Sequence, residues 1–344
     1  MRYRCLASFG VVVTVIAIGT PAPGTAQAQT AAADTPTPPR KPWGKPDLQG
    51  IWDFRTITPL ERPRELGGEQ LLTKREANEL EEQAARSRIE LDSSAIPDRC
   101  IGSPNFVDCI GSYNQYWFDR GTEVISDRRT SLIVDPPDGR IPSLTPEARK
   151  RADTVAEIRR RPAHGPEDRR VGARCIVGFN SGPPMNPSAY NNNMQLFQTP
   201  DYVTILNEMV HDARIIPLDG RSHLPSGMRL WMGDSRGHWK GDTLVVDTTN
   251  FTDQTMFKGS GEKMHVVERF TRVDADTLRY EYTIDDPESF TRSWTAVFPM
   301  RKTEGPIFEY ACHEGNYGMF NILPGARADE KAAEEAAKKE SKLP

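Results

Sequence analysis

The sequence predicts a mainly β protein whose second half is an antiparallel meander. Between residues 193 and 312 we find roughly eight short strands, separated by turn residues at the spacing typical of such folds. Residues 278–284 alternate apolar and polar side chains with a period of two, as a half-buried strand does. No stretch alternates strands with helices, so a parallel sheet is not indicated.

This number of strands favours an up-and-down barrel of the calycin (lipocalin-like) type, with a β-sandwich as the second choice. A closed barrel leaves no free sheet edge and can hold one small ligand in its mouth. An N-terminal arm with one or two helices precedes the strands. One helix is predicted from Thr73, because Thr73 and Glu76 form a capping box. A second is predicted from Thr145, with Pro146 at its first helical position.

The N-terminus is predicted to be a signal peptide, residues 1–28. Arg2 and Arg4 precede an apolar run at residues 9–18, and an A-x-A cleavage signal follows at residues 26–28. The apolar run is too short to span a bilayer. We therefore expect the mature protein in the periplasm or outside the cell.

The rest of the chain is predicted to contain one domain. Residues 29–47 are rich in Ala, Thr and Pro and form a flexible linker. A single β-rich domain covers residues 48–325, with the arm and helices at 48–175 and the meander at 176–325. Residues 326–344 form a charged tail of Ala, Glu and Lys.

Charge argues against a nucleic acid as partner. The chain has 44 basic and 48 acidic residues and a net charge of −4, so it has no basic excess to neutralise phosphates. Removing the signal peptide takes away two arginines and changes the charge from −4 to −6. No later stretch approaches ~20 apolar residues, so no membrane span is expected in the mature protein. The expected partner is a small-molecule ligand or substrate.

Four cysteines remain after the predicted cleavage. An even number in an exported protein indicates two disulfides. We favour Cys100–Cys109 and Cys175–Cys312, although the sequence permits other pairings. The alternative is a zinc site with four cysteine ligands, but C-x₂-C spacing is absent.

Familiar catalytic motifs are absent, so the candidate residues come from clusters of polar side chains. The sequence has no G-x-S-x-G, H-E-x-x-H, G-x-G-x-x-G or P-loop motif. The densest cluster, residues 186–223, contains the catalytic candidates His211, Asp212 and Arg214. On a strand, Asp212 and Arg214 share a face and are expected to form an ion pair. The alternative is a purely structural network of amides around this pair.

A second candidate group lies on the strand that begins at His265. There His265 and Arg269 share one face, while Glu268 lies on the other with Val266 and Phe270. A Glu on an apolar face is expected to have a raised pKa suited to proton transfer. The alternative is a cross-strand pair with Arg or Lys.

The third group is His313 and Glu314, beside Cys312. A disulfide there would fix the backbone, which suits a functional site and a structural corner equally. His211, His265 and His313, with Glu314, are also a conceivable metal set, but no spacing requires one. The cofactor is therefore unknown.

Ligand-binding candidates are amide and aromatic side chains. They are Tyr190, Asn192, Asn193, Gln195, Trp231 and Trp294. The tryptophans are most simply core residues, with stacking on a sugar or an aromatic ligand as the alternative. His164, His223 and His238 lie in loop-like segments, where solvated or capping roles are expected.

Several long phrases resemble those of a large family of secreted bacterial proteins to which no activity is assigned. They are DLQGIWDF, SLIVDPPDGRIPSLTPEA, YNNNMQLFQTPDYVTILNEMVHDARIIPLDG, WMGDSRGHWKGDTLVVDTTNF and EYACHEGNYGM, and they span about residues 45–330. The resemblance implies export and a single unit, and it transfers no catalytic residue.

Two functions are predicted. The first is an exported acid–base enzyme of the lyase, isomerase or hydrolase type, acting on a small organic substrate such as a carbohydrate or an aromatic compound. The alternative is a non-catalytic module that binds a small ligand or another envelope component. The enzyme requires His211 or His265 to lie within hydrogen-bonding distance of a carboxylate in one open cavity.

Overall fold

The computed structural model describes residues 38–93 and 118–341. The predicted signal peptide and the predicted Cys100–Cys109 disulfide lie outside these residues. Three α-helices are present in the described part of the chain: α1 (Lys74–Ser93), α2 (Pro146–Arg160) and α3 (Tyr317–Glu340).

The two arm helices begin where their capping residues predict. Thr73 N donates to Glu76 Oε2 (2.8 Å) and Glu76 N donates to Thr73 Oγ1 (3.2 Å), which is the reciprocal pattern of a capping box. Thr145 Oγ1 accepts a hydrogen bond from Ala148 N (3.1 Å) at the start of α2. Both predicted helix starts are confirmed.

The β-strands form one antiparallel sheet in the order β5-β4-β3-β1-β10-β9-β8-β7-β6, with β2 paired to β10. Eight of them, β3 to β10, follow residue 192, and so the predicted antiparallel sheet is confirmed. These strands form two series of sequential hairpins, β3 to β5 and β6 to β10, and not one continuous meander, because β5 and β6 are not paired. The strands are β1 (Gly50–Asp53), β2 (Ile133–Asp135), β3 (Asn193–Gln198), β4 (Tyr202–Asn207), β5 (Ala213–Pro217), β6 (Asp234–Lys240), β7 (Thr243–Thr249), β8 (His265–Arg272), β9 (Thr277–Asp285) and β10 (Trp294–Thr303).

The period of two in the sequence gives the sheet a buried face and an outer face. Along β8, for example, Val266, Glu268 and Phe270 are buried, while His265 and Arg269 are partly exposed. The buried face is filled by large side chains that are less than 2% exposed. They include Trp52, Phe270, Tyr280, Tyr282, Trp294 and Phe298.

The sheet curls so far that strands distant along the hydrogen-bonded path face each other. Arg214 of β5 contacts Glu268 of β8 through the interior at 2.6 Å. The end strands β5 and β6 also approach, since a Cβ added at Gly237 would lie 2.9 Å from Ile216 Cγ2. The hydrogen-bonded path nevertheless ends at β5 and β6. The sheet is not closed, and the predicted barrel is therefore not confirmed.

A disulfide attaches the segment after β10 to the rest of the domain. Cys175 and Cys312 are bonded, with their Cα atoms 5.6 Å apart, so this predicted pairing is confirmed. Asn316 Nδ2 donates to Ala173 O (2.9 Å) beside it, and Asn316 caps α3. None of the helices in the described ranges has the length and apolar character of a membrane span.

Candidate functional site

Four acid–base side chains lie in one connected row on the outer face of β6, β7 and β8. His223 comes from the loop between β5 and β6, and its Nδ1 lies 3.0 Å from Asp234 Oδ2. Its Nε2 lies 2.9 Å from Asp247 Oδ1. The other oxygen of Asp247, Oδ2, lies 2.7 Å from His265 Nε2. We call Asp234, His223, Asp247 and His265 the His–Asp chain.

Burial decreases along the His–Asp chain from one end to the other. The Asp234 side chain is 6% exposed, and Asp234 also bonds Arg236 Nη1 (2.6 Å) and Leu224 N (2.8 Å). The side chains of Asp247 and His265 are each 35% exposed. The His–Asp chain therefore has a shielded carboxylate, Asp234, at one end and a partly exposed imidazole, His265, at the other.

The hydrogen bonds define what each imidazole can do. Both ring nitrogens of His223 face carboxylate oxygens, which are acceptors when ionised. His223 therefore has no nitrogen left for a substrate, and its two contacts connect Asp234 to Asp247. His265 Nε2 bonds Asp247, and Nδ1 makes no hydrogen bond to the described residues. A carboxylate that fixes one nitrogen and leaves the other free is the arrangement of a histidine general base.

Both ionisations in the Asp247–His265 pair are shifted toward the charged forms. Partial burial opposes ionisation of Asp247, but the hydrogen bonds from His265 and His223 outweigh it, and its pKa is lowered. The hydrogen bond to Asp247 raises the pKa of His265 against partial burial, and the charges of Asp247 and Asp285 add to this increase. The pair is consequently ionic over a wider pH range than either group alone would give.

The pKa of His265 gives a direct test of this geometry. In an NMR titration of the imidazole resonances, the pKa of His265 is expected to lie above its ordinary value, because Asp247 favours the cation. In Asp247→Asn, the pKa of His265 should fall.

Protonated His265 stabilises the fold below the pKa of the unfolded chain, and this contribution is lost as the pH rises through the folded pKa. Asp247 contributes stability above its ordinary pKa, which is lost as the pH falls through its lowered value.

His238 provides the control for this titration. It lies on the same outer face of β6 and has no hydrogen bond to a carboxylate in the described residues. Its resonances show whether Asp247→Asn leaves the fold of this face intact. A pKa of His265 that stays the same in Asp247→Asn would show that the two side chains do not interact in solution.

A second polar group lies inside the sheet and is completely shielded. Arg214 Nη1 and Nη2 donate to Glu268 Oε2 (2.6 Å) and Oε1 (2.9 Å). Tyr280 Oη donates to Glu268 Oε1 (2.7 Å) and accepts from Met185 N (3.0 Å). Burial raises the pKa of Tyr280 well above its ordinary value, so the phenol stays protonated and remains a donor. Burial opposes the charge on Arg214, but Glu268 raises its pKa.

The predicted ion pair between Asp212 and Arg214 is wrong. Arg214 points into the interior and pairs with Glu268, which is 0% exposed. Asp212 lies beyond the end of β4 and accepts from Gly178 N (3.3 Å), while burial raises its pKa. The reason is the curl of the sheet, which places β8 opposite β5. Glu268 does pair with an Arg, but not with the cross-strand Arg or Lys given as the alternative, because β5 and β8 face each other without being hydrogen-bonded neighbours.

The third group surrounds His211, on the outer face of β1, β3 and β4. His211 and the ligand candidate Gln195 line one cleft of about 470 Å³, together with residues 306–309. Val210 and His211 both have positive φ angles, 61° and 44°. Such angles are rare for a β-branched residue and for consecutive bulky residues, and they are tolerated where the surroundings fix the backbone.

The remaining candidates are spread over the structure. Asn192 is 1% exposed, and its amide bonds Ser188 O (3.0 Å) and Asp119 O (2.9 Å), which is a structural role. Asn193 Nδ2 donates to Glu208 Oε2 (2.8 Å). Trp294 is buried in the aromatic core, and its Nε1 has no partner among the described residues.

The aromatic candidates outside the core contact other side chains. Tyr190 stacks on Tyr310 with ring centroids 6.2 Å apart. Trp231 is 36% exposed, and the guanidinium of Arg174 lies over its ring at 5.8 Å. His313 and Glu314 are exposed beside the disulfide. The structure therefore does not unite the predicted catalytic residues in one cavity. His265 lies within hydrogen-bonding distance of a carboxylate, but on the outer face of the sheet and outside the cleft that His211 lines, so the requirement set for the enzyme is met only in part.

Sequence reasoning misses His223, Asp234 and Asp247. A solvated or capping role is predicted for His223 because it lies in a loop. A signal for Asp247 is present, since it is an acidic residue on the strand that precedes His265, at a position that faces outward. Nothing in the local sequence shows that the loop folds back onto β7.

The described residues contain no group of three or more His, Cys, Asp or Glu side chains arranged to hold a metal ion. The four members of the His–Asp chain instead satisfy one another by direct hydrogen bonds. Comparison of the whole chain with family models, curated proteins and solved structures gives no match in any of the three.

Proposed function

We propose that this chain is an acid–base enzyme in which His265 exchanges a proton with a small organic substrate. The observation that carries the proposal is the hydrogen-bonded row Asp234–His223–Asp247–His265. It ends in a side chain that is 35% exposed and whose Nδ1 makes no hydrogen bond to the described residues. In this assignment Asp247 holds His265 in the tautomer whose Nδ1 accepts a proton. Asp247 also stabilises the imidazolium that forms.

The reaction supported best by this group is a proton transfer of the isomerase or lyase type. A proton leaves a carbon or oxygen of the substrate and binds Nδ1 of His265, and the imidazolium then returns it to another atom of the substrate. No covalent bond to the protein is needed. The buried Arg214, Glu268 and Tyr280 take no part, because a substrate cannot reach them from solvent.

The loop from residue 218 to 233 supplies an apolar border for the substrate. Leu224 is 36% exposed, and its backbone N–H is bonded to Asp234, the buried end of the His–Asp chain. Asn250 Nδ2 donates to Leu224 O (2.9 Å) and holds the loop from the opposite side. An apolar border beside a polar reactive group suits a substrate with an apolar body, such as an aromatic compound.

Export to the periplasm or the medium is part of this proposal. The Cys175–Cys312 bond supports it, since disulfides persist mainly in oxidising compartments. A barrel-like arrangement, in which β5 and β6 face each other without hydrogen bonds between them, remains a proposal as well. It is supported by the close approach of Gly237 to Ile216.

The test is solvent deuterium exchange at carbon, which detects proton transfer whatever the product is, because hydroxyl protons exchange with D₂O without a catalyst and are washed back before measurement. Purified protein is incubated in D₂O with a library of small aromatic and carbohydrate carbonyl and hydroxyl compounds, and deuterium in each compound is measured by mass spectrometry. His265→Gln should slow exchange by about 10²–10⁴-fold, the usual contribution of a general base. Asp247→Asn should move the pH midpoint of the rate down, because Asp247 raises the pKa of His265.

His238→Gln is the matched control, because His238 lies on the same outer face and outside the His–Asp chain. It should exchange at the rate of the unchanged protein. Equal exchange by the unchanged protein and His265→Gln would remove His265 from the mechanism. Binding of library members without any exchange would favour the second function.

The second function is non-catalytic binding of a small ligand. It is favoured by one observation, namely that His211 and Gln195 line a cleft that contains no member of the His–Asp chain. The same library, tested for binding by equilibrium dialysis, separates the two functions.

A further inference from the structure

The cleft beside His211 has a flat floor made by three neighbouring strands. Ile51 of β1 is in register with Gln195 of β3, and Gln195 is in register with Leu206 of β4. These three side chains project from the outer face in one row and line the cleft. His211 also lines the cleft. We call this space the outer cleft.

The roof of the outer cleft is the segment 306–309, which follows β10. Phe308 N donates to Glu208 Oε1 (3.3 Å), and the other oxygen of Glu208 accepts from Asn193 Nδ2 (2.8 Å). Glu208 is 4% exposed, so this carboxylate is a shielded connection between the roof and β3. After the roof, Tyr310 stacks on Tyr190 and Cys312 is bonded to Cys175. The roof is therefore fixed before any ligand binds.

The chemistry of the lining restricts what fits. The outer cleft has a volume of about 470 Å³, which is within the range of small-molecule sites. Five of its lining residues are apolar, and three have hydrogen-bonding groups: Gln195, His211 and Glu309. Among the described residues, the lining contains no Lys or Arg that would neutralise an anionic ligand, whereas Glu309 adds a negative charge. An apolar ring with a hydroxyl or amine donor is complementary to these walls, and a carboxylate ligand is not.

We propose that the outer cleft is a binding site for a small, uncharged molecule with an apolar ring and a hydroxyl group. The ring lies between the Ile51–Leu206 floor and the roof, and the hydroxyl donates to Gln195 or Glu309. This site is distinct from the His–Asp chain. In the sheet, β10 and β9 lie between the strands of its floor and β8. The binding proposed here therefore does not depend on the proton transfer proposed for His265.

The probe is 2-naphthalenemethanol, and 2-naphthoate is its charged counterpart with the same ring. Binding of each to the purified chain is measured by equilibrium dialysis at neutral pH. The alcohol should bind saturably, with a dissociation constant at least tenfold lower than that of the carboxylate. Saturable binding of both with equal affinity, or no saturable binding of the alcohol, would overturn the proposal.

Two variants locate the binding. Leu206→Trp fills the floor and should weaken binding of the alcohol at least tenfold, whereas Ile215→Thr should leave it unchanged. Ile215 is the matched control because it lies on the same outer face, is 67% exposed and does not line the cleft. Unchanged affinity in Leu206→Trp would place the ligand elsewhere.

Glu309→Gln keeps the proposal testable if Leu206→Trp fails to fold, since Glu309 is exposed and its replacement removes only charge. In this variant the affinity for 2-naphthoate should rise at least threefold, and the affinity for the alcohol should change by less than that. An unaltered ratio of the two affinities would contradict the assigned orientation of the ligand.

Discussion

Replacing Glu268 with Gln is expected to lower the free energy of unfolding by about 3–5 kcal/mol. Glu268 receives two hydrogen bonds from Arg214 and one from Tyr280, and it is 0% exposed. The variant leaves the guanidinium of Arg214 charged in the interior without its counter-ion. Removing one partner of a buried pair is much more costly than the net contribution of the pair itself. Chemical denaturation monitored by tryptophan fluorescence measures the loss.

Glu281→Gln is the matched control for this variant. Glu281 lies on the neighbouring strand, and its carboxylate pairs with Arg269 (3.5 Å) and Arg279 (2.8 Å) at the outer face. Exposed pairs of this kind contribute about 0–1 kcal/mol. The double variant Arg214→Met with Glu268→Leu should be more stable than Glu268→Gln, because it leaves no unpaired charge inside. Equal stability of Glu268→Gln and Glu281→Gln would show that the interior is hydrated.

Removing the Cys175–Cys312 disulfide is expected to lower the free energy of unfolding by about 2–5 kcal/mol. The two cysteines are 137 residues apart in sequence, and cross-linking such a long loop restricts the unfolded chain strongly. The variant is Cys175→Ser combined with Cys312→Ser. Its unfolding midpoint in denaturant should fall, and addition of a reducing agent to the unchanged protein should produce a similar decrease.

The reducing agent also distinguishes the disulfide from the serine substitutions themselves. If the double serine variant is destabilised and the reduced protein is not, the cause is the polar hydroxyl at Cys175, which is 4% exposed. If neither differs from the oxidised protein, the roof and α3 are held without the covalent bond.

The elements that the sequence predicts well are those with local causes. The capping residues of α1 and α2 place both helix starts, since the hydrogen bonds involved span only three residues. The alternation in β8 correctly separates His265 and Arg269 from Glu268, because successive side chains of a strand point to opposite faces. Four cysteines can form two disulfides in three ways, and the bond between Cys175 and Cys312 belongs to one of these.

The elements that the sequence does not predict depend on how distant strands curve toward one another. Arg214 and Glu268 are separated by 54 residues, and only the curl of the sheet makes them partners. His223 reaches Asp247 because the loop between β5 and β6 folds over the sheet, and no local pattern encodes that path. Candidate residues can therefore be identified by type, but the groups they form cannot.

The position of β1 has a consequence for the order in which the sheet can be completed. This strand of four residues lies between β3 and β10, and among the described strands it alone joins the two arrays of sequential hairpins. Ile51 is in register with Thr303, which lies 252 residues later. During synthesis, the residues that pair with Gly50–Asp53 on β10 are made about 250 residues after this strand. The pairing of β1 with β10, which joins the two arrays, can therefore form only after the chain has been synthesised through Thr303.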